Sequence, residues 1–423
     1  MRKLVVLGAG TAGTMVANRL RRRLDRGEWA VVVVDRDDEH AYQPGFLRLP
    51  FGGPGRSRIV RSRRAALTRG VEVVTGDVAE VLPDEHRVRL ADGRVLDYDQ
   101  LVIATGVTPR PDQTPGMLGA GWRRSVFDFY TLDGAEALAG ALRGFTGGRL
   151  VVHVTEMPIK CPVAPLEFAF LADAWARRRG IRDRVDLTYV TPLSGAFTRP
   201  TASRRLGRML DRRDIRLEAD FLVESVDADA RRLVSYDGRE VPFDLLVTVP
   251  LNMGADFVAA SSLGDELNQV RVDRHTLQAR GQPDIFALGD ANDIPASKAG
   301  SVAHFSVDVF VDNFLEHVAG RPMTHSFDGH ANCFVEAGDG KALLIDFNYD
   351  VEPLPGKYPL PIVGPLDLLK ESRLNHLGKL AFGWVYWHVL LPGRPLPLPA
   401  HLSMVGKRVP RQATPPDDQK LEV

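Results

Sequence analysis

A pure apolar run, Leu4 to Leu7, leads straight into Gly8-Ala9-Gly10-Thr11-Ala12-Gly13 and a helical pattern from Met15 to Leu24, and a second apolar run, Ala30 to Val34, ends in Asp35. Strand, glycine turn, helix, strand and terminal carboxylate in this order commit the chain to a βαβ unit of a parallel sheet, because only glycine lets the backbone turn so tightly and approach a ligand so closely. In such a unit the N–H groups at the helix start meet a pyrophosphate and the acid holds a ribose hydroxyl. The first candidate ligand residues are therefore Gly8, Gly10, Thr11, Ala12, Gly13 and Asp35. Arg36 joins them by position, although the charged run Asp35 to Glu39 reads most simply as a solvated strand end.

Two further marks specify the ligand. Val71 to Val74 and Asp77 to Val81 read as strands, the latter bringing Val78 into the nucleotide region, and Asp99 to Gly106 closes the segment in Ala104-Thr105-Gly106. A buried strand with that ending runs its backbone close to a cofactor. Later, Asp284 to Ala291 is again a strand running into Gly289-Asp290, whose carboxylate is placed to accept from ribityl or ribose hydroxyls. Each mark alone is weak; the three in this order point to FAD.

With 423 residues, 54 basic and 54 acidic side chains, the chain has the size for two or three cores and no net charge to steer it towards nucleic acid. No secretory signal is read before the first strand. Two cysteines cannot form a structural disulfide framework, and the eleven histidines show no spacing joined to carboxylates that suggests a metal.

Between the second and third marks lies an inserted α/β unit, roughly 122–249, with strands at Arg149 to Val154 and Asp186 to Val190 and a helix from Pro165 to Arg178. If NAD(P)H bound here, the first strand would turn into a glycine loop. The turn instead reads Thr155-Glu156-Met157-Pro158-Ile159-Lys160-Cys161-Pro162, so the electron donor is expected to be something else. A thiolate beside a flavin is a natural donor-side group. Lys160 and the following helix end are both expected to lower the Cys161 thiol pKa. Glu167, in the first helical turn, is a candidate proton acceptor, and Lys298 is a candidate for the flavin pyrimidine, with a solvent-facing lysine the plain alternative.

The expected organisation is an FAD domain in two parts, 1–121 and 250–324, around a second Rossmann-like domain at 122–249, followed by a C-terminal region at 325–423. That region starts with hairpin strands at Asn332 to Ala337 and Lys341 to Phe347, then an amphipathic helical stretch, Leu366 to Leu377, an aromatic-rich segment to Pro392, and a disordered tail. The aromatic segment is too short and interrupted to cross a bilayer but suits the headgroup plane, or packing against the flavin domain.

At several of these residues the chain resembles the sulfide:quinone oxidoreductases, two-dinucleotide-domain flavoproteins, over nearly its whole length to about Lys407. The resemblance rests on Tyr42-Gln43-Pro44-Gly45, on Ile159-Lys160-Cys161 with Ala164-Pro165, on His330 to Cys333 followed by Ile345 to Leu354, and on Leu377 to Phe382 with Tyr386-Trp387. It implies tandem glutathione-reductase-type domains with a membrane-associating C-terminal segment, and FAD contacts at Tyr42, Gln43 and Lys379. It further implies that Cys161 and Cys333 bridge through sulfur on one face of FAD. Sulfide would attack the bridge and leave a persulfide, and the freed thiolate would pass two electrons to the flavin. Quinone, near Phe382, Tyr386 and Trp387, would then take them at the membrane surface.

This implies a peripheral enzyme on the cytoplasmic side of the membrane. The sulfur acceptor stays open between a small thiol and sulfite, and the oligomeric state stays open too, a homo-oligomer included. The chain departs from the family in lacking a third cysteine, which excludes thioether flavin attachment by that route, and in having Pro192 to Phe197 where some members carry a histidine. Rival readings are a type II NADH:quinone oxidoreductase, a flavocytochrome sulfide dehydrogenase subunit, and a non-catalytic persulfide sensor.

Overall fold

The run after Met1 forms strand β1 (Arg2–Leu7) and the run before Asp35 forms β2 (Trp29–Asp35), and they pair in parallel with Leu4 opposite Val31. The computed structural model describes residues 1–360, 364–396 and 398–409. Helix α1 (Thr11–Arg23) joins the two strands, β3 (Val71–Thr75) adds outside β2, and β4 (Gln100–Ile103) adds beside β1, all parallel. Leu4 to Leu7 are fully buried, as expected of a central strand covered on both faces.

The chain then builds a second parallel sheet. Its strands are β5 (Val126–Phe127), β6 (Gly148–Val154), β7 (Val185–Val190), β8 (Arg216–Glu218) and β9 (Leu245–Val249), in the spatial order β5-β9-β6-β7-β8. Helix α2 (Ala164–Arg178) connects β6 to β7. Afterwards β10 (Ile285–Ala287) returns to pair with β4 and completes the first sheet, so the second is an insertion into the first. The two Rossmann-like units expected from the glycine and strand marks are both present.

Helix α3 (Gly300–Val318) packs on α1, and ion pairs of Arg19 with Asp308 and Arg23 with Asp312 hold them. The C-terminal region adds the hairpin β11 (Ala331–Gly338) and β12 (Lys341–Phe347), then β13 (Gly356–Tyr358) and β14 (Leu366–Leu368), in the order β11-β12-β14-β13. Helix α4 (Arg373–Val385) runs on into one π-helical turn, Tyr386–Leu390.

The amphipathic helix expected from Leu366 to Leu377 is therefore corrected. Leu368 pairs with Leu344 and Gly356, which makes the first part a strand. The helix begins only after Ser372, whose hydroxyl accepts the Asn375 N–H at 3.1 Å as a cap. The expected disordered tail falls at 410–423, outside the described residues. For function the decisive packing is α2 against β11 and α4 against β11 and β12, because it draws side chains from distant segments to one place.

Candidate functional site

The dinucleotide loop has the shape its glycines predict. Gly8 has φ +93°, and a Cβ there would stand 2.6 Å from the Ala104 carbonyl oxygen; a Cβ on Gly13 would run into the Gly8 carbonyl oxygen. Both glycines are thus forced by strand and helix closing on each other. Gly10 and Gly106 instead face open space, with nothing within 4 Å of an added Cβ. Beside them the buried Thr105 hydroxyl has no partner, which a bound polar ligand would supply. Gly289, at φ +66°, brings a Cβ position to 3.2 Å from Ala12, and so sets Asp290 over the start of α1.

Burial raises the Asp290 carboxyl pKa, against the attraction of Lys298 and Lys160. Asp35 accepts from the Ala9 N–H at 2.6 Å, the Arg36 N–H at 2.8 Å and Arg63 at 2.7 Å. Of about four acceptor positions on a carboxylate this leaves one for a ribose hydroxyl. The Arg36 and Gln43 side chains are exposed, while Val78 is half-buried. Open cradle, orphan hydroxyl and paired acids together fit an adenine dinucleotide.

The segment after β6 is stitched to the first domain. The Cys161 N–H donates to the Lys298 carbonyl at 2.5 Å, the Cys161 carbonyl accepts from the Tyr130 hydroxyl at 3.0 Å and the Ala164 N–H at 2.9 Å, and the residue itself adopts φ +49°. Cys333 sits on β11 next to Ser301. Both cysteines are free, and each feels the same two charges, Glu167 and Lys379, while ionisation of Cys333 opposes that of Cys161.

The expected depression of the Cys161 pKa is overturned. Burial first, then Glu167, raises it well above the usual thiol range, and the same causes push Cys333 up to about 12; Lys379 opposes both shifts, helped by the Ala164 N–H at Cys161 and by Ser301 at Cys333. Lys160 gives little help, because its own ammonium is buried, lies 5.9 Å from the Tyr130 ring, and has its pKa lowered by desolvation.

Glu167 is not an isolated base either. It is 1% exposed, ion-paired to Lys379 and held by the Glu336 N–H at 2.6 Å. Burial raises its pKa and Lys379 opposes the rise. For Lys379 itself burial works downwards, but Glu167 and Glu336 outweigh it and raise the ammonium above its ordinary value. Lys298 is buried, not solvent-facing: it donates to the Asn292 carbonyl, and desolvation lowers its pKa to about 8.

Of the three aromatics expected at the acceptor site, the structure divides the roles. Trp387 lines a cavity of about 290 Å³ together with Tyr42, Arg61, Lys379, Gly383 and Trp384. Arg61 lies 4.3 Å over the Trp387 ring. Tyr386 does not line it. Its hydroxyl is buried between Thr11 at 2.8 Å and His40 at 2.7 Å, and so joins the C-terminal segment to the dinucleotide loop. Phe382 is half-buried and packs against the core.

Outside the cavity Leu374, Leu377, Leu380 and Trp384 are exposed at helical spacing on α4, Trp384 by 64%. No helix among the described residues is long and apolar enough to cross a membrane, and no group of His, Cys, Asp and Glu there could hold a metal. Sequence reasoning missed Glu336, His376, His40 and Tyr130. Only the i, i+3 spacing of His376 and Lys379 gave a signal.

Residues 2–154 match the pyridine nucleotide-disulphide oxidoreductase family. Along 93% of the chain and 86% of the relative, the sequence is 27% identical to the mitochondrial sulfide:quinone oxidoreductase of Dictyostelium discoideum. It is 25% identical to the mouse mitochondrial sulfide:quinone oxidoreductase over 92% of the chain and 86% of the relative. In fold it matches the crystal structure of the sulfide:quinone oxidoreductase from Aquifex aeolicus with a TM-score of 0.77, at 19% identity, over 93% of the chain and 92% of that structure.

Proposed function

We propose that this chain, an FAD-dependent oxidoreductase related along nine-tenths of its length to the sulfide:quinone oxidoreductases, oxidises sulfide through Cys161 and Cys333 and passes the electrons to quinone. One observation carries the reading. Two cysteines 172 residues apart in sequence both feel the Glu167–Lys379 pair, and one of them, Cys161, stands in the segment where a pyridine nucleotide would need glycines. Bound FAD would accept two electrons and release them to a second substrate. Gly8, Gly10, Gly13, Thr105, Gly106 and Asp290 would hold it, with Asp35 towards the ribose.

The high thiol pKa values shape the chemistry. Reduced Cys161 and Cys333 are neutral at physiological pH, so neither is a ready nucleophile. The incoming hydrosulfide is one without help. It attacks the oxidised, sulfur-bridged pair, a sulfur–sulfur bond breaks, a persulfide forms on one cysteine, and the other leaves as a thiolate. Burial penalises that leaving charge, and Lys379 is the cation that offsets the penalty for both sulfurs. Glu167 holds Lys379 in place and takes up the proton that the ammonium cannot.

Quinone is assigned to the cavity under Trp384 and Trp387. The exposed stripe from Leu374 to Trp384 beside its mouth seats in the headgroup region, giving a peripheral enzyme that draws a lipid-soluble acceptor from the bilayer. The sulfur acceptor in this reading is a small thiol or sulfite. We place the enzyme at the cytoplasmic face of the membrane.

Anaerobic titration of the FAD-loaded protein with sulfide, followed by flavin absorbance, tests the reading. Bleaching by sulfide, reoxidation by quinone, and loss of bleaching in Cys161→Ser and Cys333→Ser are expected. Bleaching by NADH instead, or full sulfide activity in either variant, removes the cysteine pair from the mechanism.

A further inference from the structure

A second cavity, of about 230 Å³, is lined by Arg48, Arg178, Glu336, Asp339 and His376, and by neither cysteine. From it an unusual row of charges leads inward. The His376 imidazole, partly exposed, has Nδ1 at 3.0 Å from the Glu336 carboxylate, which is 2% exposed. That carboxylate in turn acts on Lys379, whose ammonium is paired with Glu167 and donates to the Phe334 carbonyl at 3.2 Å. Lys379 also lines the first cavity, with Tyr42 and Trp387. A buried acid has to be explained. As a mere tie between α4 and β11, Glu336 and His376 would be an expensive choice against two apolar side chains.

The proton balance of the proposed reaction supplies the explanation. Quinone takes two electrons and two protons to become the quinol. Hydrosulfide, on leaving its sulfur as sulfane on a cysteine, yields two electrons but one proton. One proton per turnover must therefore come from solvent, and it must reach a cavity walled by Trp384, Trp387 and Tyr42.

We propose that His376 and Glu336 carry this proton from the second cavity to Lys379, which hands it on at the edge of the quinone cavity. The proposal rests on the quinone assignment above but not on sulfide as donor. His376 passes its proton to the Glu336 carboxylate across the 3.0 Å contact. The Lys379 ammonium, paired with Glu167 and donating to the carbonyl of Phe334, two residues before Glu336 on β11, gives up a proton towards the quinone and regains one that Glu336 has taken from His376. Arg48 and Arg178 flank the entrance with Asp339, and Arg48 lines both cavities. Glu336 and His376 are relay residues, not groups that touch the quinone.

The test uses FAD-loaded enzyme reduced anaerobically with dithionite, so that its electrons do not depend on sulfide. Parent, Glu336→Gln and His376→Asn are mixed rapidly with a soluble quinone, and separately with ferricyanide, which takes electrons without protons. Quinone reoxidation slows about 10-fold or more in both variants, while ferricyanide reoxidation keeps the parent rate. An unchanged quinone rate overturns the proposal. An equal fall with both acceptors overturns it too, since it assigns the residues a purely structural role. A split between acceptors in a protein that sulfide does not bleach would leave the relay standing and remove sulfide as the donor.

Discussion

Replacing Lys379 by methionine isolates the most consequential interaction in the site. The substitution keeps the length of the side chain and removes its charge, so the Glu167 carboxylate, 1% exposed, retains only the Glu336 N–H at 2.6 Å. Breaking a buried pair by deleting one partner costs about 3–5 kcal/mol, because the remaining charge is left uncompensated in a poorly solvated place. The sign of the pH dependence follows from the direction of the Glu167 shift. Its folded-state pKa already stands above the unfolded value through burial, so the folded state binds the proton more tightly, and stability falls as pH rises from the unfolded carboxyl value, about 4.3, through the folded one.

Lys379 opposes that shift; without it the folded pKa climbs further and the window of loss widens. Urea unfolding of FAD-saturated protein should therefore show a small deficit for Lys379→Met near pH 4 and the full deficit at pH 7. Glu167→Gln added to Lys379→Met should recover most of it, since a neutral amide no longer needs the cation. A deficit under about 1 kcal/mol, a deficit equal at both pH values, or no recovery in the double variant would falsify the assignment of this pair as a buried charge balance.

Other substitutions give independent checks. Tyr386→Phe leaves His40 Nε2 and the Thr11 hydroxyl without their shared partner and should cost about 1–3 kcal/mol and weaken FAD binding, measured by flavin fluorescence titration. Gly13→Ala should abolish FAD retention on gel filtration, because the new methyl group collides with the Gly8 carbonyl oxygen. Leu374→Glu combined with Leu377→Glu should reduce co-sedimentation with lipid vesicles while activity with a water-soluble quinone persists. Lys298→Met should remove a gain in parent stability between about pH 8 and the unfolded lysine value near 10.4. There the folded lysine, its pKa lowered by burial, sheds its proton before the unfolded one does, and urea midpoints across that range read the difference.

The fold was legible because its signals are local. Gly8 and Gly13 are each dictated by atoms within the same βαβ unit or the adjoining strand, and the apolar runs of β1, β2, β4 and β6 are continuous because both faces of their sheets are covered. Leu366 to Leu377 misled for the opposite reason: a short apolar stretch carries both periods, and pairing with Leu344 and Gly356 decided for a strand. The resemblance put Tyr386 beside Trp387 near the acceptor, yet one residue along a helix turns a side chain by about 100°, from the cavity that Trp387 lines to the start of α1 at Thr11.

By itself, then, the sequence determined two nested dinucleotide-type units and the absence of a glycine loop in the second, since steric demands within a few residues leave glycine no substitute. Only the tertiary structure decided that Glu167 and Lys379, from two helices, pair with each other, that their charges act on both Cys161 and Cys333, and that burial raises both thiol pKa values. Desolvation belongs to the assembled surroundings of a group, so the direction of a buried titration cannot be read from the residues beside it in the chain.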